Sequence, residues 1–466
     1  QTMDGYTAYG FYKSSLHAPH FAAGFGEGRR PTGTDDIETS VGPFINANFI
    51  MKNRYFVDGS FRRSGSSKFG DENRFAPFWS VGAGWNIHNE EFATRFGWLN
   101  TFRLRYSYGV TGNVSFAPYQ AVTTYFYNGD NFYLHGIGAI PKTMGNKDLK
   151  WELTKEHNFG LNAEFWDGRI SAVFDYYVKT TDDVLIDMSV PPSVGETTVR
   201  NNLGQMRNKG FEFDVTCLIV ATKAWRFSLK VNGDHNKNTI LGISNSLAKY
   251  NEEANADGSS APKVLYKEGE SKTAIYAVRS AGINPATGQE VFIKKNGAWT
   301  LEYDLNDKVV VGDKSPWLKG AFFPMLSYKG WQLNLAFEYN FGGQIYNTTR
   351  ADNVENVNPR NNVDQRAFDQ RWKNVNDIPP YLDIANASDR TNYHTTRFVE
   401  DDNNVICRNI ELSYEFNPDL LKKIGFKRLR LSAGMKDPFR MSSVKFERGT
   451  DYPFSRGFTF SVSPTF

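Results

Sequence analysis

The strongest constraint in this sequence is a strict two-residue alternation of apolar and polar side chains, repeated in long segments along almost the whole chain. Trp225, Phe227, Leu229 and Val231 interleave with Arg226, Ser228 and Lys230. Likewise Trp331, Leu333, Leu335, Phe337, Tyr339 and Phe341 interleave with Gln332, Asn334, Glu338 and Asn340. Side chains alternate across a strand with period two, whereas a helix repeats every 3.6 residues, so these segments are strands. The same rhythm recurs in Ile45 to Met51, Tyr55 to Phe61, Trp79 to Ile87, Phe102 to Val110, Phe159 to Phe165 and Ile170 to Val178. Further on it returns in Phe211 to Cys217, Phe322 to Tyr328, Ile410 to Phe416 and Leu429 to Met435. The closing stretch "GFTFSVSPTF" sets Phe458, Phe460, Val462, Pro464 and Phe466 against Thr459, Ser461, Ser463 and Thr465.

Strand length and loop length narrow the fold. Soluble sheets manage with strands of about 5 to 6 residues. These run to about 10 to 13, the length of a tilted bilayer crossing. Connections fall into two alternating classes. Tight turns occur near Lys52, at Trp166 to Gly168, near Ala221 and at Lys329 and Gly330, while long polar loops are expected at 111–150, 181–206, 236–316 and 347–402. Short turns at one end and long loops at the other are the mark of an up-and-down outer-membrane barrel. The expected fold is therefore all-β: residues 1–466 form part of a transmembrane antiparallel β-barrel, with about 14 strands if one near Tyr6 to Tyr12 is counted. If the last strand runs down to the periplasm, every tight turn falls on the periplasmic side and every long loop outside.

Composition excludes several function classes. The net charge of +3 comes from Lys and Arg scattered among Asp and Glu, without the basic stripe of a nucleic-acid binder, so no nucleic-acid partner is expected. Cys217 and Cys407 are far apart and form no C-x-x-C, which suggests neither a zinc site nor a disulfide framework. The seven histidines are dispersed, and the acidic run "NEEANADGS" departs from the calcium-loop pattern. H-E-x-x-H, G-x-S-x-G and the phosphate-binding glycine loop are all absent from the sequence. The chain is expected to be no enzyme, with no catalytic residue, metal or cofactor. Recognition would fall to the long loops, where aromatic faces and amides can hold sugar rings or peptide groups. "YFYNGDNFY" offers Tyr125, Tyr127, Asn131 and Tyr133; "NVENVNPRNNVDQRAFDQRW" offers Asn358, Arg360, Asn361, Asp364 and Trp372.

Several blocks resemble the SusC/RagA-type TonB-dependent outer-membrane transporters of the Bacteroidetes. They are "NRYFVDGSFRRSGSSKFGDENRFAPFWSVGAGWNIHNEEF", "LNTFRLRYSYGVTGN", "LKWELTKEHNFGLNAEFWDGRISAVFDYYVKTTDDVL", "NLGQMRNKGFEFDV", "AGINPATGQEVFIKKNG" and "RFVEDDNNVICRNIELSYEFNPDLLKKIGFKRLRLSAG". Two places depart from the family's pattern: Ser64 to Phe69, usually Asp-Gly-Ser-Ser-Arg-Phe, and "MKDPF" at Met435 to Phe439. The resemblance implies a 22-stranded barrel of which this chain supplies the C-terminal portion, the plug domain and first strands lying in an N-terminal part not contained in it. It also implies active import of oligosaccharides or oligopeptides in the outer membrane, with a SusD-like surface lipoprotein as lid and TonB-ExbB-ExbD acting through that N-terminal part. The remaining barrel, the plug and membrane lipid would be further partners, and Phe466 resembles the terminal aromatic that barrels present for assembly. A passive outer-membrane porin is the alternative.

Overall fold

The computed structural model describes residues 8–11, 22–25, 37–114, 116–133, 136–189, 198–243, 247–256, 259, 261–357, 363–384, 393–417, 421, 425–445 and 456–465. Its dominant feature is one 14-stranded antiparallel sheet. The strands are β1 (Ser40–Val41), β2 (Phe44–Met51), β3 (Tyr55–Ser66), β4 (Phe75–Asn86), β5 (Leu99–Asn113), β6 (Glu152–Phe165) and β7 (Ile170–Ser189). They continue as β8 (Thr198–Ala221), β9 (Trp225–Ile243), β10 (Leu318–Tyr328), β11 (Trp331–Tyr346), β12 (Val399–Glu415), β13 (Arg428–Ser442) and β14 (Phe458–Thr465). Each pairs with its neighbour in sequence, except that β1 and β2 share the edge of β3. The strand expected near Tyr6 to Tyr12 is Ala8–Phe11, which pairs with Ala22–Phe25 in a separate ribbon. Each sequence neighbour pairing with the next is the up-and-down meander that the loop pattern implied.

The alternation becomes two chemically distinct faces. Register places Phe159 beside Tyr106 and Tyr176, and Asn162 beside Arg103 and Val173. One face thus carries the aromatic and aliphatic residues and the other most of the charges. Large apolar side chains on the first face are open to the surroundings, Phe460 being 81% exposed and Phe49 65%. In water such a surface would be a severe liability; against lipid it is the required one. Among the described residues no helix is long and apolar enough to cross a membrane, which leaves crossing by strands untouched.

Turn chemistry sets the tight end. Lys329 and Gly330 (φ 44° and 91°) adopt the left-handed pair of a two-residue hairpin, whose twist matches that of the flanking strands, and Lys52 and Asn53 (φ 50° and 54°) adopt the same pair in the three-residue turn that Met51 and Tyr55 close. Aromatics gather there. Trp225 stacks on Tyr328 with ring centroids 4.1 Å apart, Tyr55 on Trp85 at 6.2 Å, and Trp331 packs against Tyr414 at 4.8 Å. This is the interfacial girdle of a membrane barrel.

The other end differs from expectation in detail. The loop expected at 181–206 is mostly strand, because the β7–β8 ladder continues through Val184↔Gly204 to Ser189↔Thr198. The pattern misleads because Asp183 has φ 57° and the register shifts between Thr181 and Leu185, so the alternation breaks while the hydrogen bonding goes on. In the same way β5 runs to Asn113, β9 runs to Ile243 and β12 begins at Val399, shortening the expected loops 111–150, 236–316 and 347–402. Phe466 lies outside the described residues.

Candidate functional site

Two surfaces could act on a solute: the polar face of the sheet and the folded loops at its long end. The polar face is a lattice of cross-strand ion pairs. Arg105 meets Asp175 at 3.1 Å and Asn162 at 2.8 Å, Lys179 meets Glu156, Lys230 meets Asp214 at 2.8 Å, Lys319 meets Asp234, and Arg430 meets Glu411 at 3.0 Å. All are partly open to solvent, so each contributes no more than about 0 to 1 kcal/mol. Their consequence is chemical: a wall of alternating charge that wets readily and can trade contacts with a polar solute.

Both sequence departures find a place here. In the first, Lys68 pairs with Glu38 at 3.0 Å, while Phe69 packs into a small core with Phe116, Leu149 and Trp151 under the first long loop. In the second, a bulge in β12 between Cys407 and Asn409 frees Arg408 to reach Glu338 at 2.7 Å and Asp437 at 3.0 Å. Asp437 itself has φ 46°, and Pro438 offers no N–H at that break in the ladder. "MKDPF" is therefore an ion-paired bulge in the wall.

The loops between β9 and β10 and between β11 and β12 fold together into one cap. Val278 forms a parallel bridge with Thr395, its N–H donating to the His394 carbonyl at 2.9 Å, while the Thr396 N–H returns to the Val278 carbonyl at 3.1 Å. Around this seam lies a buried cluster of Ile275, Tyr346, Ala351, Val354, Val357, Ala367, Tyr381 and Phe398. Arg397 links the loops electrostatically, donating through Nε to Glu290 Oε1 and through Nη2 to Glu355 Oε1, both at 2.8 Å. Burial opposes the charge on Arg397, but Glu290 and Glu355 outweigh it and hold the guanidinium's pKa above its usual range. Arg371, also buried, donates to the carbonyls of Ala367, Leu382, Val354 and Glu355 and so closes the short helical segments around it. Tyr303 stacks flat on Tyr393, 4.1 Å apart, and receives the His394 N–H; burial keeps its phenol protonated well above the ordinary range. The acidic run that begins at Asn251 lies largely in the helix Leu247–Ala256.

The sequence candidates divide between two loops. Tyr125 stands in the ribbon Thr124–Tyr133, paired with Gly136–Thr143, and is 57% exposed. Tyr127, Asn131 and Tyr133 share that ribbon's backbone, and the placement of their side chains lies outside the described part. Asn358, Arg360 and Asn361 lie outside the described residues. Asp364 accepts from Arg366 Nη2 at 2.7 Å, and Arg366 through side chain and backbone pulls its carboxyl down to about 2. Trp372 is half-buried with Nε1 donating to the Pro285 carbonyl at 2.9 Å, so the cap uses it for packing. No hydrogen bond, ion pair or ring contact joins Tyr125 to Asp364 or Trp372 among the described residues. The cap's central ion triad went unread, since Arg397 is 107 positions from Glu290 and 42 from Glu355.

A lipid-facing surface on one side, an ion-paired wall on the other and knitted loops at one end define the class: a strand-spanning outer-membrane β-barrel. The sequence profile described as TonB dependent receptor-like, beta-barrel, matches residues 2–357, and the chain belongs to that family. The TonB-dependent receptor P39 of Formosa agariphila is 28% identical over 89% of this chain and 44% of its own. The TonB-dependent receptor SusC of Bacteroides thetaiotaomicron is 26% identical over 93% and 44%. The solved structure of the RagAB peptide transporter aligns at 25% identity with TM-score 0.76, over 87% of this chain and 44% of that one. The SusC/RagA resemblance drawn from the sequence is thus matched by independent relatives, and the chain spans about 44% of the length of the relatives named here. Proteins of this family are receptors and transporters rather than enzymes.

Proposed function

We propose that this chain forms barrel wall and external loops of an active importer that takes up oligosaccharides or oligopeptides across the outer membrane. The reading rests above all on the ion-paired inner face lying below a folded loop cap in a chain that aligns with a peptide transporter at TM-score 0.76. A wall of paired charges passes a hydrated, hydrogen-bonding solute without requiring it to shed water into an apolar channel. The cap presents open apolar side chains, among them Phe368, Val375 and Ile378, that suit docking of a SusD-like lid lipoprotein. Energy would reach the barrel from TonB-ExbB-ExbD through the plug. The loop residues Tyr125, Tyr127, Asn131 and Tyr133, with Asn358, Arg360, Asn361, Asp364 and Trp372, are proposed to contribute to substrate contact, and Phe466 to barrel assembly.

Uptake of labelled oligosaccharide and oligopeptide mixtures by cells carrying or lacking the full-length gene tests this reading. Import of one of the two classes should require both the gene and TonB. Gene-dependent uptake that continues undiminished after TonB depletion would instead support the passive porin.

A further inference from the structure

On the lipid-facing side, at the tight-turn end, two neighbouring turns build a shelf. The first joins β4 to β5 and is held by the Ala93 and Thr94 N–H groups donating to the Glu90 carbonyl and the Leu99 N–H to that of Phe96. The second is Trp166 to Arg169, joining β6 to β7, with Trp166, Asp167 and Gly168 at φ 52°, 54° and 79°. The turns are tied together: the Trp166 N–H donates to the Trp98 carbonyl at 2.8 Å, and the Asp167 N–H to Asn100 Oδ1 at 2.8 Å. Trp98 and Trp166 therefore stand side by side, centroids 6.3 Å apart, as a fixed ridge.

A groove lies on either side of that ridge. One, of about 560 Å³, is lined only by apolar side chains, including Phe92, Phe96, Phe102 and Phe165. The other, about 870 Å³, runs past Arg169 to Ile219 and Leu229. Arg169 is exposed at its mouth and makes no ion pair among the described residues; Asp167 beside it is engaged by Asn100. Arg95, in the first turn, is likewise exposed and without an ion partner there. Tryptophans of a membrane protein favour the interface at headgroup level, and here two of them stand between concave apolar walls beside an exposed cation.

We propose that this shelf is a binding site for one anionic phospholipid of the leaflet on the tight-turn side. The acyl chains lie in the grooves astride Trp98 and Trp166, and the headgroup phosphate accepts charge-assisted hydrogen bonds from the Arg169 guanidinium, with Arg95 adding attraction. The site depends on the membrane placement of the barrel and is independent of what the importer carries.

The test is native mass spectrometry of the full-length receptor titrated with phosphatidylglycerol and with phosphatidylcholine. The wild type should retain phosphatidylglycerol preferentially. Arg169→Gln should cut that retention about fivefold, the effect of one interfacial cation, and leave phosphatidylcholine unchanged. Arg169→Lys should keep most of the preference, which separates lost charge from misfolding, and Trp166→Ala should weaken both lipids. Arg226→Gln, on the lumen face of β9, should change neither. Equal retention of the two lipids by the wild type, an Arg169→Gln protein as selective as wild type, or displacement of the lipid by inorganic phosphate alone would overturn the proposal.

Discussion

Replacing Arg397 by Met removes the only cation that contacts both Glu290 and Glu355 among the described residues. The two carboxylates are each about 2% exposed, so the substitution strands a pair of acids in a site that water barely reaches. Breaking a buried ion pair from one side costs about 3 to 5 kcal/mol, since the orphaned charge must be neutralised or hydrated. At about 1.4 kcal/mol per tenfold, amide protection in the cap should fall by about a hundred- to a few-thousand-fold. The assay is hydrogen exchange by mass spectrometry on the full-length receptor, comparing peptides from 274–293 and 347–357 with peptides from β6 to β9. Protection should collapse in both cap segments together and stay intact in the strands. Converting Glu290 and Glu355 to Leu in the same variant should restore much of it, because an apolar core needs no counter-charge. Unchanged cap protection in Arg397→Met would refute the triad as the link between the loops. Equal loss in strands and cap would refute the cap as a separate cooperative unit.

Other consequences follow from single contacts. In Gly210→Ala the new methyl would collide with the His235 carbonyl and crowd the Tyr177 hydroxyl, so folding yield measured by heat-modifiable gel mobility should drop, with a cost of about 1 to 3 kcal/mol. Burial, with Glu270 adding, pushes the Tyr276 phenol up to about 12 from its ordinary value of 10.0. Because the folded value is raised, the stabilisation is complete below pH 10 and is lost as pH rises through about 12; phenolate absorbance should show a late phase there whose amplitude Tyr276→Phe lowers by one phenol. Tyr125→Ala should lower uptake with the cap's exchange protection unchanged, whereas Trp372→Ala, which loses the bond to Pro285, should lower both.

The parts of this fold that the sequence makes legible are those where lipid and water impose opposite demands on adjacent residues. In β9 and β11 every second side chain must be apolar, so period two is written without interruption from Trp225 to Val231 and from Trp331 to Phe341. Beyond the bilayer both faces of a strand are wet and that demand ends. This is why the ladder from Val184 to Ser189 and back through Thr198 to Gly204 reads as loop although it is paired. The cap was hidden for another reason: its core draws Ile275, Tyr346, Val354 and Phe398 from distant segments with no period between them. Of the proposed contact residues, the sequence identifies Trp372 as an aromatic in a polar loop. Only the structure reveals that Pro285 and Gly288 hold its indole.

Sidedness is the central point, since the proposed import requires the knitted loops to face the outside and the tight turns the periplasm. Single cysteines placed in the full-length receptor at Trp299, in the cap, and at Asp167, in the β6–β7 turn, can be probed in intact cells with a membrane-impermeant maleimide. Rapid labelling at position 299 is expected in intact cells, and labelling at position 167 only after the outer membrane is opened. Labelling of position 167 in intact cells with position 299 protected would contradict this sidedness.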